Sequence, residues 1–236
     1  MPKQLGRFIE TFRGSSFPTR SETTEGESCV VKLRGAGNGA AALLSEFVVN
    51  RLAVRAGLPV PDVFIVQIEA ERPWDYGTDE FYDLVQKSAG PNLALAWLDG
   101  VRPWSGNAYG SLPDELVSQV VTIDLAFSNV DRSAQSANLV EDAHQRRWII
   151  DHGSCRFLFR PDAASARSAS TWMLPADHIF AHRADAFDPR WLAPVNAALI
   201  AETTAEIPDA WLAEIRLTRD QVAKKITACL NTRGTE

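Results

Sequence analysis

The sequence has few cysteines, no strongly basic stretch and no long apolar run. Its three cysteines are far apart and form no CxxC or Cys/His spacing, which argues against a disulfide framework and against a structural zinc site. The opening residues, MPKQLGRFIETFRG, lack the apolar core of a signal peptide, and no apolar run approaches the length of a membrane span. We therefore expect a cytoplasmic protein with reduced thiols and no membrane partner.

Composition and charge exclude further classes of protein. The chain carries 30 acidic against 24 basic side chains, a net charge of −6, so general nucleic-acid binding is not expected. Of its 236 residues 45% are apolar, which is too many for a disordered chain and enough for a sizeable core.

The first third of the chain has the pattern of strands around one helix. Residues 29–34 (CVVKLR) alternate and predict a strand, in which Lys32 lies opposite the apolar face. A glycine-rich turn leads into a predicted helix over 40–56, and residues 63–68 predict a second strand. Glu46 lies on the helix away from its strongest apolar stripe, where it can meet Lys32. A lone lysine in a strand is usually solvated, but a paired lysine would be fixed in place to hold nucleotide phosphates.

The rest of the chain shows mainly helical patterns. Residues 69–110 are rich in Pro, Gly, Asp and Trp and receive no assignment. A helix is predicted to start at Ser111, as a capping residue, and to end at Phe127. From Trp172 onward the pattern is mostly helical, with one solvated face that carries Asp220, Lys224 and Lys225.

A polar loop and two short apolar runs follow the predicted helix at 111–127. Asn138 opens the first run and Asp151 closes the second. A hairpin that turns near residues 144–145 would pair residue 139 with residue 150. That register places Asn138 directly across from Asp151.

The oxygen atoms of this segment indicate a site for a metal and a phosphate. An amide oxygen and a carboxylate are hard ligands that suit magnesium in contact with phosphate. Asp131, in the loop that enters the hairpin, would orient a hydroxyl for attack on that phosphate. Each of these residues alone is explained by an ordinary turn. Their convergence at one end of a hairpin is what favours a site.

A dinucleotide-binding unit is the competing interpretation. Residues 35–40 (GAGNGA) match G-x-G-x-x-A between a strand and a helix, and Glu69 ends the next strand. Against it, the first strand carries Lys32 and Arg34 where a buried parallel strand is continuously apolar. Glu69 also comes later than the motif requires.

The histidines indicate no catalytic or metal site. There is no G-x-S-x-G motif, and His178 and His182 are four residues apart without the glutamate of H-E-x-x-H. We expect capping or surface roles for these two residues rather than zinc binding.

Seven segments, in order along most of the chain, together resemble the HipA-like kinases. The resemblance is to the short HipA-like kinase domain that lacks the toxin's extra N-terminal portion. The segments are FRGSSFPTR (12–20), VVKLRG (30–35), SEFVVNRLA (45–53), GLPVP (57–61), NVDRSAQSANL (129–139), IIDHG (149–153) and IPDAWL (207–212).

The resemblance implies an α+β, two-lobed, protein-kinase-like fold. A β-rich N-lobe would cover residues 1–98 and a mainly helical C-lobe residues 99–236. It further implies ATP and Mg²⁺ as cofactors and transfer of the γ-phosphate to a hydroxyl, on a serine or threonine of a protein or peptide substrate. A catalytically inactive, kinase-like binding module is the alternative.

The resemblance also implies a role for each candidate residue. Lys32 resembles the phosphate-holding lysine and Glu46 its helix partner. Asp131 resembles the catalytic aspartate, and Asn138 and Asp151 the metal ligands. The phosphate-covering loop, which lacks a G-x-G-x-x-G motif, would contain Gly14, Ser15 and Ser16. Protein kinases place the metal-binding Asn about five residues after the catalytic Asp, a position that Ser136 occupies in this chain.

Overall fold

Five strands close the N-terminal part of the chain into a barrel. The structure is a computed structural model and describes residues 2–104, 112–159 and 173–231. The strands are β1 (Lys3–Thr11), β2 (Thr19–Thr23), β3 (Ser28–Lys32), β4 (Val63–Ile68) and β5 (Gly90–Ala96). Their order around the barrel is β1-β2-β3-β5-β4. Neighbouring strands are antiparallel except β1 and β4, which close the barrel in parallel.

The predicted strand–helix–strand pattern is confirmed. Strands β3 and β4 lie where the alternation places them, and α1 (Gly39–Arg55) connects them. Cys29 and Val31 of β3 are fully buried in the barrel, whereas Lys32 points to the opposite face because side chains alternate along a strand. The helix ends before Gly57, whose φ of 77° is a left-handed conformation that glycine adopts at helix ends without strain.

The strand pairing rules out the dinucleotide-binding interpretation of residues 35–40. A dinucleotide-binding unit needs two adjacent parallel strands joined by the helix. Here β3 and β4 are separated by β5, and each pairs with it in the antiparallel sense. The helix therefore packs beside a barrel rather than on a doubly wound sheet.

Part of residues 69–110, for which the sequence predicts no element, forms regular secondary structure. Helix α2 (Asp79–Lys87) is capped at its N-terminus by Thr78, whose side chain accepts a hydrogen bond from the backbone N–H of Phe81. Phe81 and Val85 then pack into the barrel core. A short strand β6 (Arg102–Pro103) follows β5.

The C-terminal part is mainly helical, but fewer of its residues lie in helices than the sequence pattern predicts. Helix α3 (Asp114–Phe127) ends where predicted, but its N-cap is Pro113, without a side-chain cap; Ser111 lies outside the described residues. The remaining helices are α4 (Ala197–Ala205), α5 (Asp209–Ile215) and α6 (Arg219–Asn231).

The sequence prediction of helix from Trp172 onward is wrong for its first part. Trp172 itself lies outside the described residues, and residues 173–196 form only short 3₁₀ turns. Three prolines interrupt this stretch and remove helical hydrogen bonds. On α6, Asp220 and Lys224 are exposed, as expected of a solvated face.

The main core forms where α1 and α3 meet the C-terminal helices. Phe47 of α1 contacts the fully buried Trp211 of α5 edge-on, with ring centroids 6.3 Å apart. This packing fixes α1 against both halves of the chain. Among the described residues, no helix has the length and apolar character needed to cross a bilayer.

Candidate active site

All residues that the sequence analysis assigns to the site line one cavity of about 610 Å³. A cavity of this size accommodates a ligand as large as a nucleotide. These residues are Gly14, Ser15, Ser16, Lys32, Glu46, Asp131, Asn138 and Asp151.

Lys32 is held by two carboxylates at the inner end of this cavity. Its Nζ donates to both oxygens of Glu46, at 2.8 and 2.6 Å, and to Oδ1 of Asp151 at 2.8 Å. The Lys32 and Glu46 side chains are buried, whereas that of Asp151 is 41% exposed. The predicted pairing of Lys32 with Glu46 is therefore present, and Asp151 joins it.

This cluster carries more negative than positive charge. Burial lowers the pKa of Lys32, but the Glu46 and Asp151 carboxylates outweigh burial and raise that pKa above its ordinary value. The Lys32 ammonium in turn lowers the pKa of Asp151. Burial raises the pKa of Glu46, and the Lys32 ammonium opposes that effect. With both carboxyl groups ionised, one ammonium faces two carboxylates, which leaves an excess negative charge toward the cavity.

The hairpin that carries Asn138 and Asp151 has a register one residue away from the prediction. Strands β7 (Leu139–Glu141) and β8 (Arg147–Ile149) pair residue 139 with residue 149, not residue 150. Asn138 consequently lies opposite residue 150 rather than Asp151.

The turn of the hairpin explains the shift in register. The carboxylate of Asp142 accepts hydrogen bonds from the backbone N–H groups of His144, at 2.8 Å, and Arg146, at 3.0 Å. These bonds stabilise a three-residue turn over 143–145 in place of the expected two-residue turn. A loop longer by one residue moves every pair by one position.

Asn138 and Asp151 nevertheless both line the cavity, because the backbone bends at each of them. Their φ angles are 50° and 61°, in the left-handed region that non-glycine residues rarely adopt. Ser136 donates a hydrogen bond to Oδ1 of Asn138 at 3.2 Å and does not itself line the cavity. Asn138, not Ser136, is therefore the residue that faces the site.

Asp131 lies in the exposed loop after α3 and faces the same cavity. Partial burial and the Asp151 carboxylate raise the pKa of Asp131, against the opposing effects of Arg132 and of a hydrogen bond from the Ser154 hydroxyl. Burial and the nearby Asp151 carboxylate thus together disfavour the charged form of Asp131.

The loop with Gly14, Ser15 and Ser16 connects β1 to β2 and covers one side of the cavity. Gly37 of the glycine-rich turn packs beneath it, since a Cβ there would lie 3.2 Å from the carbonyl oxygen of Ser15. The glycines thus allow close approach of two backbone segments. Arg13 also lines the cavity, and the sequence analysis did not single it out.

A buried polar network beneath the cavity was also missed. The side chains of Asp124, Arg132 and His178 are fully buried and bonded to one another. The expected surface role of His178 is wrong because the residue is buried, but its Nδ1 does cap the backbone N–H of Phe180, so Nε2–H donates to Asp124, at 3.0 Å. One signal was present in the sequence, because Asp124 interrupts the apolar helix α3, and a carboxylate buried there requires a partner.

The comparisons with known proteins agree with this geometry. A family model described as "HipA-like kinase" matches residues 9–233. No match was found among curated proteins. Among solved structures, the proinflammatory kinase CtkA of Helicobacter pylori is similar, with a TM-score of 0.52 and 12% identity over 98% of this chain and 95% of that one. At that identity the likeness shows a shared kinase-like fold. Since the family model spans nearly the whole sequence, the chain belongs to the HipA-like kinases.

Proposed function

We propose that this protein is an ATP- and Mg²⁺-dependent kinase that transfers the γ-phosphate to a serine or threonine hydroxyl of a protein or peptide. The observation that carries the proposal is the position of the Lys32 ammonium. It is clamped between Glu46 and Asp151 in the cavity that Asp131 and Asn138 also line. Phosphoryl transfer needs mainly positioning and charge neutralisation, and this set of side chains supplies both.

The residues of the cavity fit a magnesium–nucleotide complex. Mg²⁺ prefers oxygen ligands and usually takes one or two from protein, with substrate phosphates and waters as the others. Asn138 and Asp151 offer two such oxygens, and no group of three or more His, Cys, Asp or Glu side chains among the described residues forms a separate metal cage. When bound, the ion would neutralise the charge of the phosphates and of the carboxylates around Lys32.

The Nδ2 group of Asn138 supports the same fit. It is buried and has no hydrogen-bond partner among the described residues. A buried donor without a partner is costly, so the site favours a ligand that supplies an acceptor there. Phosphate oxygens are such acceptors.

Lys32 would hold the phosphates of ATP, and Glu46 would fix its position. The loop that contains Gly14, Ser15 and Ser16 would cover the phosphates with backbone N–H groups and hydroxyls. Its lack of a G-x-G-x-x-G motif means that these contacts differ from those of most protein kinases.

Asp131 would orient the acceptor hydroxyl and accept its proton. A carboxylate whose pKa is raised is a better proton acceptor near neutral pH than an ordinary aspartate.

In the same proposal, the two lobes comprise residues 1–98 and 99–236, and the protein is cytoplasmic and binds neither membranes nor nucleic acid.

A transfer assay with [γ-³²P]ATP tests this function. Purified protein is incubated with ATP and a mixture of peptides with and without Mg²⁺, and incorporation into the peptides and into the protein itself is measured. Asp131→Asn should lower the rate by about 10²- to 10⁴-fold, the contribution expected of a general base. ATP binding should persist in this variant.

Asp83→Asn is the matched control, because Asp83 is exposed on α2 and does not line the cavity. It should leave the rate unchanged. Binding of Mg²⁺–ATP without transfer in the unmodified protein would favour the alternative of an inactive binding module, and equal activity of Asp131→Asn would remove Asp131 from the mechanism.

A further inference from the structure

The backbone at both candidate metal ligands is left-handed, and one buried side chain holds it. Asn138 and Asp151 have left-handed φ angles, which cost a non-glycine residue about 1 kcal/mol or more unless neighbouring groups fix the conformation. Hydrogen bonds to the adjacent peptide groups can fix this conformation. Arg132 provides these bonds.

The guanidinium of Arg132 reaches three carbonyl groups around the two residues. Its Nη1 donates to the carbonyl oxygen of Ala137 at 3.0 Å and to that of Asn138 at 2.9 Å. The carbonyl oxygen of Ile150, in the peptide that leads into Asp151, lies 3.5 Å from the same nitrogen. One nitrogen atom thus joins the backbone on both sides of the hairpin end.

The other side of the guanidinium is anchored on α3. Its Nε and Nη2 donate to the two oxygens of Asp124, at 2.5 and 3.2 Å. This bidentate pair fixes the plane of the guanidinium, which a single hydrogen bond would not do. The carboxylate also accepts from His178 and Asn129, so its position is set by four donors.

The same anchor extends to the loop of Asp131. Nδ2 of Asn129 donates to Asp124 at 2.9 Å, and Oδ1 of Asn129 accepts the backbone N–H of Asp131 at 3.2 Å. Asp131 and Asn138 are therefore two hydrogen bonds from Asp124, and Asp151 is linked to it in the same way through the carbonyl of Ile150.

We infer that Arg132, anchored by Asp124, is the positioning residue that sets the spacing of the Asp131, Asn138 and Asp151 side chains for the magnesium–phosphate complex. The inference rests on the proposed function, since it assigns to Arg132 the geometry of the same metal site. Arg132 touches neither substrate nor metal in this account. It acts through the backbone of the residues that do.

A lysine at position 132 cannot reproduce this arrangement. Its single ammonium offers three donors from one point, whereas the guanidinium spans Asp124 on one side and the hairpin carbonyls on the other. Arg132→Lys keeps the charge opposite Asp124 and loosens the hairpin end. Changes in residues that orient metal ligands typically lower metal affinity about 10- to 100-fold.

The experiment compares two ligands in calorimetry, Mg²⁺–ADP and adenosine. For Arg132→Lys we expect the affinity for Mg²⁺–ADP to fall about 10-fold or more, and the Mg²⁺ concentration for half-maximal binding to rise by a similar factor. The affinity for adenosine should stay within about 2-fold, because adenosine carries no phosphate and makes no contact with the metal site.

Arg219→Lys is the matched control. Arg219 likewise bonds a carboxylate, that of Asp209, and a backbone carbonyl, that of Ile207, but neither of these partners lines the cavity. Its binding of both ligands should equal that of the unmodified protein. A similar loss in this control would show that the effect of Arg132→Lys is a general one.

A second variant covers the case in which Arg132→Lys does not fold. Arg132→Met combined with Asp124→Asn removes both buried charges together and keeps one amide oxygen as an acceptor for the donors of His178 and Asn129, and it should show the same selective loss of Mg²⁺–ADP. An equal loss of adenosine and Mg²⁺–ADP, or no loss of either, overturns the inference. If the unmodified protein binds ADP without any effect of Mg²⁺, the proposed function itself is wrong and the inference falls with it.

Discussion

The molecule has two polar clusters that differ in how completely their charges are balanced. We call them the open cluster (Lys32, Glu46 and Asp151) and the closed cluster (Asp124, Arg132 and His178). In the first cluster Lys32 is shared by Glu46 and Asp151 at the wall of the cavity. In the second, Asp124 and Arg132 form a bidentate pair with fully buried side chains. The first has an unmatched carboxylate and open space beside it, whereas the second is neutral and closed.

The pKa values follow the same division. Burial raises the pKa of Asp124, but Arg132 and His178 outweigh burial and lower that pKa well below its ordinary range. At the cavity the shifts are mixed: Lys32 lowers the pKa of Asp151, whereas burial and the Asp151 carboxylate raise that of Asp131. We infer that the second cluster is complete as folded, whereas under the proposed function a bound cation completes the first. We therefore expect substitutions in the first to cost activity and substitutions in the second to cost stability.

The largest expected effect is the loss of stability on breaking the closed cluster. Arg132→Met leaves the buried Asp124 carboxylate without its main partner, and such a change costs about 3–5 kcal/mol of unfolding free energy. Urea denaturation at neutral pH measures it. The double variant with Asp124→Asn should recover most of the loss. A cost below about 1 kcal/mol for Arg132→Met would mean that the two clusters do not differ as described.

The next effect is on activity and comes from the open cluster. Lys32→Met should lower the rate of phosphate transfer by about 10²- to 10³-fold, the range seen when one charge-stabilising donor is removed from an active site. Its cost in stability should be smaller, about 1–3 kcal/mol, because Asp151 is partly exposed to water and the buried Glu46, whose pKa burial already raises, can take up a proton. Rate assays and urea denaturation on the same preparation test both.

Lys224→Met is the control for the change at position 32, since Lys224 is exposed on α6. It should alter neither quantity. If Lys32→Met transferred phosphate at the normal rate, the cluster at the cavity would have no part in catalysis.

The smallest expected effect is a gain in stability at Asp131. A carboxyl whose folded pKa is raised favours folding fully below its unfolded pKa, about 3.9, and this contribution is lost as the pH rises through the folded pKa. Asn cannot ionise, so Asp131→Asn should be slightly more stable than the unmodified protein at pH 7. Because the side chain is exposed and screened, we expect a rise in Tm of about 1 °C.

The gain in stability of Asp131→Asn should itself depend on pH, which provides a second test. Thermal unfolding of both proteins at pH 7 and near pH 3 should show the difference at pH 7 only. A lower Tm for Asp131→Asn at pH 7 would contradict the description of Asp131 as a carboxyl group whose charged form the fold disfavours.

The open cluster was largely predictable from the sequence. Alternation in residues 29–34 fixes the face of Lys32, and the helical spacing after the glycine-rich turn brings Glu46 to the same side. The convergence of Asn138 and Asp151 was predicted as well, although through a hairpin register that is wrong by one residue. The cause is the pair of hydrogen bonds from backbone N–H groups to the Asp142 side chain. The alternation of apolar and polar residues along a strand does not indicate such bonds.

The closed cluster was not predictable in the same way. Arg132 lies in a polar loop, where an arginine is ordinarily solvated, and its partners come from α3 and from backbone carbonyls of the hairpin end. Its burial depends on contacts distant in sequence, and local patterns do not report these. Only Asp124, inside an apolar helix, signalled that a partner was needed.

A crystal structure of the protein with Mn²⁺ and a non-hydrolysable ATP analogue tests the central claim most directly. Mn²⁺ takes the same oxygen ligands as Mg²⁺, and its anomalous signal locates it without assumptions about the ligand. The account predicts a peak bonded to oxygens of Asn138 and Asp151 and to the phosphates, with Lys32 also on the phosphates and Asp131 facing the γ-phosphate. A nucleotide bound in the cavity with its metal ion away from Asn138 and Asp151 would contradict it.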